Sequence, residues 1–205
     1  MERNISEKKW FAAGLPSRSS ARHGGLQTGS PHRGGAESVP SVTKEYVRTL
    51  PWDRFEALVA VLEEKRGAQV YLTPGRGDDK ADVIAIFDTR VRVVQCKHTA
   101  WGASMDADSL AEVLMALEIY GHRHLRAVSQ RGNLQPVVVT NGTFTKAAKS
   151  EGRERDVELV SEGDLWTLLE QTPCTPGDIE AMEARRLASM ADLRAALERA
   201  RMRHG

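Results

Sequence analysis

The stretch "ADVIAIFDTRVRVVQCK", residues 81–97, constrains the fold of this chain more than any other. Two apolar runs rich in β-branched residues flank a short polar break, the pattern of two antiparallel strands joined by a tight turn. Side chains alternate between the two faces of a strand, so polar residues two apart share a face. Gln95 and Lys97 are such a pair, and lysine is among the residues least often buried without a partner. With the turn centred between Thr89 and Arg90, Asp82 stands opposite Lys97 and Ile84 opposite Gln95. All four side chains then share one face. A carboxylate, an amide oxygen and an ammonium group meet at one end of an otherwise apolar hairpin.

The surrounding sequence supplies the rest of a mixed sheet. "PWDRFEALVAVLEEKRG" reads as a helix, with Pro51 at its start, Gly67 at its end and Phe55, Leu58, Val59 and Leu62 on one apolar stripe. Strand-like runs follow at 68–73, 81–87 and 91–97. A helix then carries Leu110, Val113, Leu114 and Leu117, followed by the strand "QPVVVTNG", a polar helix around "TFTKAAKS", the strand "VELVS" and the helix "EGDLWTLLEQ". The order α-β-β-β-α-β-α-β-α predicts an α/β fold with a mixed central sheet flanked by helices. After "TPCTPG" a last helix is expected from 178 to about 202, its stripe formed by Leu187, Met190, Leu193 and Leu197. It is expected to pack on the domain or to pair with a second copy.

Residues 1–42 are rich in Gly, Ser, Pro and Arg and offer little to bury, so they are expected to be a disordered polar and basic extension. The folded domain is expected over 43–172, and the C-terminal helix over 173–205. A net charge of +1 neither demands nor excludes a nucleic-acid partner. No apolar run approaches the roughly 20 residues that span a bilayer. The N-terminus lacks the apolar core of a secretory signal. The two cysteines, Cys96 and Cys174, match no zinc spacing and form no disulfide framework. A cytoplasmic protein with reduced thiols and no membrane contact is the expectation.

The polar trio suits metal-assisted hydrolysis of a phosphodiester. Asp82 and the Gln95 amide oxygen are hard ligands for Mg²⁺, with Mn²⁺ as the alternative, and the backbone carbonyl of Cys96 offers a third oxygen. A cation there polarises the phosphate and lowers the pKa of water. Lys97 would orient the attacking water and offset charge building on the phosphate. Glu56, on the first helix beside Phe55, would reach inward as an outer partner. The competing reading is structural: an Asp82–Lys97 salt bridge near the sheet edge, with Glu56 a solvated helix residue.

"FEALVAVLEEKRGAQVYLTPGRGDDKADVIAIF…VRVVQCKH" resembles the catalytic domain of the Mrr-like restriction endonucleases, within the PD-(D/E)XK nuclease superfamily. Glu56, Asp82, Gln95 and Lys97 fall in order on that family's acidic helix residue, strand aspartate and Gln-x-Lys. The similarity continues through "LEIYGHRH" and "VVVTNGTFTKAAKSEGRERDVELVSEGDLWTLL" and covers about residues 50–170. It implies a restriction-endonuclease-like fold with an αβββαβ core and a Mg²⁺-dependent endonuclease acting on double-stranded DNA, in restriction of foreign or modified DNA. Cutting both strands calls for two active sites, so a homodimer through the C-terminal helix is the expected assembly.

Two departures stand out. "GDDKAD" has Lys80 and Ala81 where the family has glycines before the aspartate, and no counterpart of the separate DNA-reading domain of many relatives is expected among these residues. DNA contact would then come from the domain itself, with Arg76, Lys80, His98 and Lys146 as candidate phosphate ligands. A branched-DNA resolvase of the same fold and a DNA-binding module that has lost catalysis are the rival readings.

Overall fold

A computed structural model of the chain describes residues 41–75, 79–99, 103–124 and 133–203. Residues 1–40 of the expected extension, and Arg76, lie outside the described residues. Helix α1, Lys44–Thr49, starts where the Thr43 hydroxyl accepts the Tyr46 N–H at 3.2 Å. Helix α2, Trp52–Lys65, follows Pro51 and stops before Gly67, whose φ of 96° only glycine adopts at little cost. Every residue of α2 from Phe55 to Glu63 is buried, so the helix is wrapped nearly all round rather than along one stripe.

Strands β1, Gln69–Leu72, β2, Val83–Ile86, and β3, Arg90–Lys97, form an antiparallel meander. The hairpin register differs from the sequence expectation. Val83 pairs with Val94 and Ile86 with Val91, and the Phe87 N–H closes on the Arg90 carbonyl at 2.9 Å. The loop is therefore Asp88–Thr89, one residue earlier than expected, and Asp82 comes beside Gln95 rather than Lys97. The reason lies in Arg90, which joins the strand and lays its guanidinium 4.9 Å from the Phe87 ring centroid. A shift by two positions preserves parity, so the polar residues keep their common face.

Strand β4, Ser104–Met105, precedes α3, Asp108–Ile119, which ends in a π-helical turn at Tyr120–His124. Strand β5, Asn133–Thr140, then runs parallel to β3, with Lys97 beside Thr140. Strand β6, Thr143–Phe144, makes a small parallel pair with β4. Helix α4, Lys146–Glu154, crosses over to β7, Glu158–Val160, parallel to β5. Helix α5, Glu162–Gln171, begins where the Asp164 carboxylate accepts the Ser161 N–H at 2.9 Å. The sheet order is β1-β2-β3-β5-β7, the mixed α/β architecture expected from the sequence.

The last expected helix is two: α6, Pro176–Glu183, and α7, Met190–Arg203. The apolar period runs on through "ARRLAS", yet the backbone leaves the helix there to serve β1, an edge strand with carbonyls to satisfy. The Leu187 N–H donates to the Leu72 carbonyl at 3.1 Å. Helix α7 packs on the domain: Leu193 and Leu197 are buried with Ile84, Val91, Val93, Ala116 and Tyr120 in one core cluster. A second cluster joins Leu110, Val113, Val138, Phe144, Ala148 and Val157 beneath α3 and α4.

Between the two flanking layers, β3 turns Arg92 toward α2. Its guanidinium lies 3.3 Å from Glu63 and 2.8 Å from Glu158. Burial works against this charge, but the two carboxylates outweigh it and hold the Arg92 pKa above its ordinary value. This buried Glu63–Arg92–Glu158 triad ties α2, β3 and β7 together at mid-sheet.

Candidate active site

The site forms where β2 and β3 part. In a regular ladder the next N–H on β3, that of Cys96, would pair with the backbone at residue 81. Instead the Asp82 N–H bonds the Val94 carbonyl at 2.9 Å, a local bulge that brings the Asp82 side chain into the ladder position. Its Oδ2 accepts the Cys96 N–H at 2.6 Å and the Gln95 Nε2 at 2.7 Å. Thr73, at the end of β1, clasps the same turn. Its N–H and hydroxyl each reach the Asp82 carbonyl at 3.0 Å, and the hydroxyl reaches the Ala81 carbonyl at 2.6 Å.

Gln95 decides what this cluster can do. A carboxylate only accepts, so the amide nitrogen must face Asp82 and the amide oxygen must face away. That oxygen, Oε1, is buried and has no hydrogen-bond partner among the described residues. Leaving a buried acceptor unmade costs about 1–3 kcal/mol, a cost that a cation or a donor at this point would remove.

Lys97 turns its ammonium to Glu112 on α3, while Asp82 is engaged by Gln95 and Cys96. The strand end that carries Lys97 is fixed from β5. The Thr140 hydroxyl donates to the Lys97 carbonyl at 2.7 Å. Asn141, buried just beyond, accepts the Thr99 N–H at 2.8 Å and donates to the Thr99 carbonyl at 3.1 Å, imitating one more rung of the ladder. Gly142 is required by close approach: a Cβ there would lie 2.4 Å from the Ala103 carbonyl oxygen.

Glu56 is buried on α2, and its Oε2 accepts Arg186 Nη1 at 2.7 Å. The Cys96 thiol registers the surrounding charge. Burial first, then the carboxylates of Asp82 and Glu56, push its pKa well above the ordinary thiol value. It is a core thiol, held neutral. Among the described residues no three His, Cys, Asp or Glu side chains are grouped to hold a metal, so the available donors are one carboxylate with amide and carbonyl oxygens.

The candidate DNA contacts diverge. Lys80 is exposed in the turn before Asp82, where it and Asp79 have positive φ of 70° and 54°. Lys146 is exposed in the first turn of α4, at the same sheet end as Lys97, because α4 begins just after the end of β5. His98 instead turns inward. Its Nε2 lies 3.3 Å from the Val47 carbonyl, and its ring meets Phe55 edge-on at 5.3 Å. Glu112, Asn141 and Arg186 were not foreseen. Asn141 had a local signal, a turn-forming Asn-Gly after a strand, whereas Glu112 and Arg186 had none.

The restriction endonuclease family model of the Mrr catalytic domain matches residues 47–169, more than half of the chain. No curated protein matches. Three solved structures are similar at low identity. A protein of unknown function, AF1548, is 19% identical with a TM-score of 0.47, over 59% of this chain and 66% of that one. The MspJI restriction endonuclease, solved with a 27-mer oligonucleotide, is 20% identical with a TM-score of 0.47, over 82% and 39%. AspBHI, a DNA modification-dependent restriction endonuclease, is 17% identical with a TM-score of 0.46, over 89% and 48%. The chain spans just under two thirds of the first and less than half of the other two.

Proposed function

From its membership of the Mrr-type restriction endonuclease family, to which this chain belongs, we propose that it is a Mg²⁺-dependent endonuclease of double-stranded DNA, serving restriction of foreign or modified DNA. One observation carries the metal assignment: among the described residues the buried Gln95 Oε1 has no hydrogen-bond partner, and it lies beside the carboxylate of Asp82. The Cys96 carbonyl belongs to the same set, since a strand residue presents N–H and C=O to the same side and the Cys96 N–H already faces Asp82. A divalent cation held by these oxygens, Mg²⁺ or alternatively Mn²⁺, would polarise the phosphate and lower the pKa of the attacking water.

The chain's own residues do the rest. The Lys97 ammonium holds the attacking water by a hydrogen bond and offsets the negative charge that builds on the phosphate. Glu112 keeps that ammonium aimed, and the Thr140 and Asn141 bonds hold its backbone still. Glu56 stands behind as an outer partner. Gln95, being neutral, leaves the set one negative charge short of a two-carboxylate site, so cation affinity is modest until a DNA phosphate adds its oxygen. Lys80 and Lys146 flank this end of the sheet as phosphate contacts, and a homodimer would bring two such sites to the two strands.

The test is plasmid cleavage with methylated and unmethylated DNA, with Mg²⁺ or with EDTA. Cutting that needs the metal, with a difference between the plasmids, is expected. A wild-type protein that binds DNA yet cuts neither plasmid refutes the reading.

A further inference from the structure

The segment between α6 and α7 lies beyond residue 169, where the family match ends, yet it is fastened to the domain by three consecutive residues. Arg185 makes a bidentate pair with Glu64 at 2.7 and 2.9 Å. The Leu187 N–H completes the edge of β1 through the Leu72 carbonyl. Between them Arg186 reaches in, with its side chain only 18% exposed, and spends its donors on three acceptors. Nη1 meets Glu56 Oε2 at 2.7 Å and the Thr73 carbonyl at 3.1 Å, and Nη2 meets the Asp53 carbonyl at 2.9 Å. The same Thr73 clasps the Asp82 turn through its N–H and hydroxyl.

We propose that Arg186 is a positioning residue of the nuclease site, supplied by the C-terminal segment. The inference rests on the functional reading above. Two links support it. A planar guanidinium that bonds one carboxylate and two carbonyls at once fixes the carboxylate in a single orientation, which a solvated glutamate lacks. Burying Glu56 requires a paired cation, and Arg186 supplies one at 2.7 Å. Through Glu56 it orients the outer partner of the cation set, and through Thr73 it steadies the turn that delivers Asp82. Arg185 controls for mere fastening, because it docks the same segment on an exposed pair without touching Glu56 or Thr73.

The experiment titrates the full chain with Mn²⁺, by calorimetry, and measures DNA cleavage for the wild type, Arg185→Ala, Arg186→Ala, Arg186→Lys, Glu56→Gln and the double variant Glu56→Gln/Arg186→Ala. Loss of an outer-shell partner costs roughly 10–100-fold in metal affinity or activity. Arg186→Ala is expected to lose that much in Mn²⁺ affinity and in kcat, with KM for DNA within about 2-fold, Arg186→Lys to fall between, and Arg185→Ala to match the wild type. The double variant should lose no more than the worse single one, because both act through one contact. Wild-type Mn²⁺ affinity and kcat in folded Arg186→Ala overturn the proposal. If that variant does not fold, wild-type values in Arg186→Lys overturn it instead. A wild type that binds Mn²⁺ but cuts no DNA overturns the nuclease reading alone, and the Mn²⁺ titrations then decide the role of Arg186. A wild type that binds no Mn²⁺ overturns both.

Discussion

Replacing Gln95 by glutamate probes the site at its most exacting point. The amide nitrogen now sits 2.7 Å from Asp82 Oδ2 in a buried pocket. In Gln95→Glu an oxygen takes that place, and without a cation two carboxylates must share the space. Unit charges about 4 Å apart, at an effective dielectric of about 20, repel by about 4 kcal/mol. Protonating one of them at pH 7 is the escape, and from an ordinary glutamate pKa of about 4.3 it costs at most about 3.7 kcal/mol. The variant in EDTA is therefore destabilised by about 3 kcal/mol, a melting temperature lower by roughly 6–12 °C for a chain of this size. The sign with pH follows. The pair titrates above its unfolded value, so the penalty is complete above the folded pKa and vanishes as pH falls to about 4. A divalent cation binds the folded state alone and returns about 2.7 kcal/mol at one hundred times its dissociation constant. Thermal melts at pH 7 and pH 4.5, in EDTA and with Mg²⁺, measure all of this. Equal stability of variant and wild type in EDTA at pH 7, or a deficit that Mg²⁺ leaves untouched, would refute the geometry assigned to Gln95.

Other perturbations separate the roles of neighbouring residues. Glu112→Gln should lower kcat, through Lys97, while changing stability by no more than about 1 kcal/mol, because the Glu112 side chain is 41% exposed; cleavage kinetics beside melts will show the split. Gly142→Ala forces a Cβ to 2.4 Å from the Ala103 carbonyl, and strain of about 1–3 kcal/mol should appear in urea unfolding. Asp178 accepts the Thr175 N–H at 2.8 Å and lies 3.0 Å from the Lys65 ammonium, and these contacts hold its pKa below the ordinary carboxylate value. Its contribution is present at neutral pH and fades as pH falls below about 4 toward the depressed folded value, so the gap in melting temperature between wild type and Asp178→Asn should narrow as pH is lowered from about 7 to about 3.

The sequence carried the sheet further than the site. Period-2 alternation placed Asp82 and Gln95 on one face even though the assumed turn was misplaced, because a shift of two positions leaves parity intact. Identifying the true partner of Asp82 required the closure of Phe87 on Arg90 and the bulge at Asp82, and neither leaves a local signature. Lys97 stands out by its position in the strand, but its partner Glu112 comes from a helix 15 residues later, off the apolar stripe of Leu110, Val113, Leu114 and Leu117. The break between α6 and α7 was invisible for a similar reason. "ARRLAS" keeps a helical period, and only the unfilled edge of β1 explains why the chain abandons it. Arg186 illustrates the limit: nothing near it in the chain hints at Glu56, 130 residues away.

In the proposed mechanism Asp82 and the Gln95 amide oxygen hold a catalytic cation. Crystals soaked in Mn²⁺ and measured at the manganese absorption edge test it most directly. An anomalous peak is expected roughly 2.1 Å from an Asp82 carboxylate oxygen and from Gln95 Oε1, absent in crystals of Asp82→Ala, a variant that also no longer cuts DNA. Manganese bound elsewhere, or DNA cleavage that survives in Asp82→Ala, would contradict it.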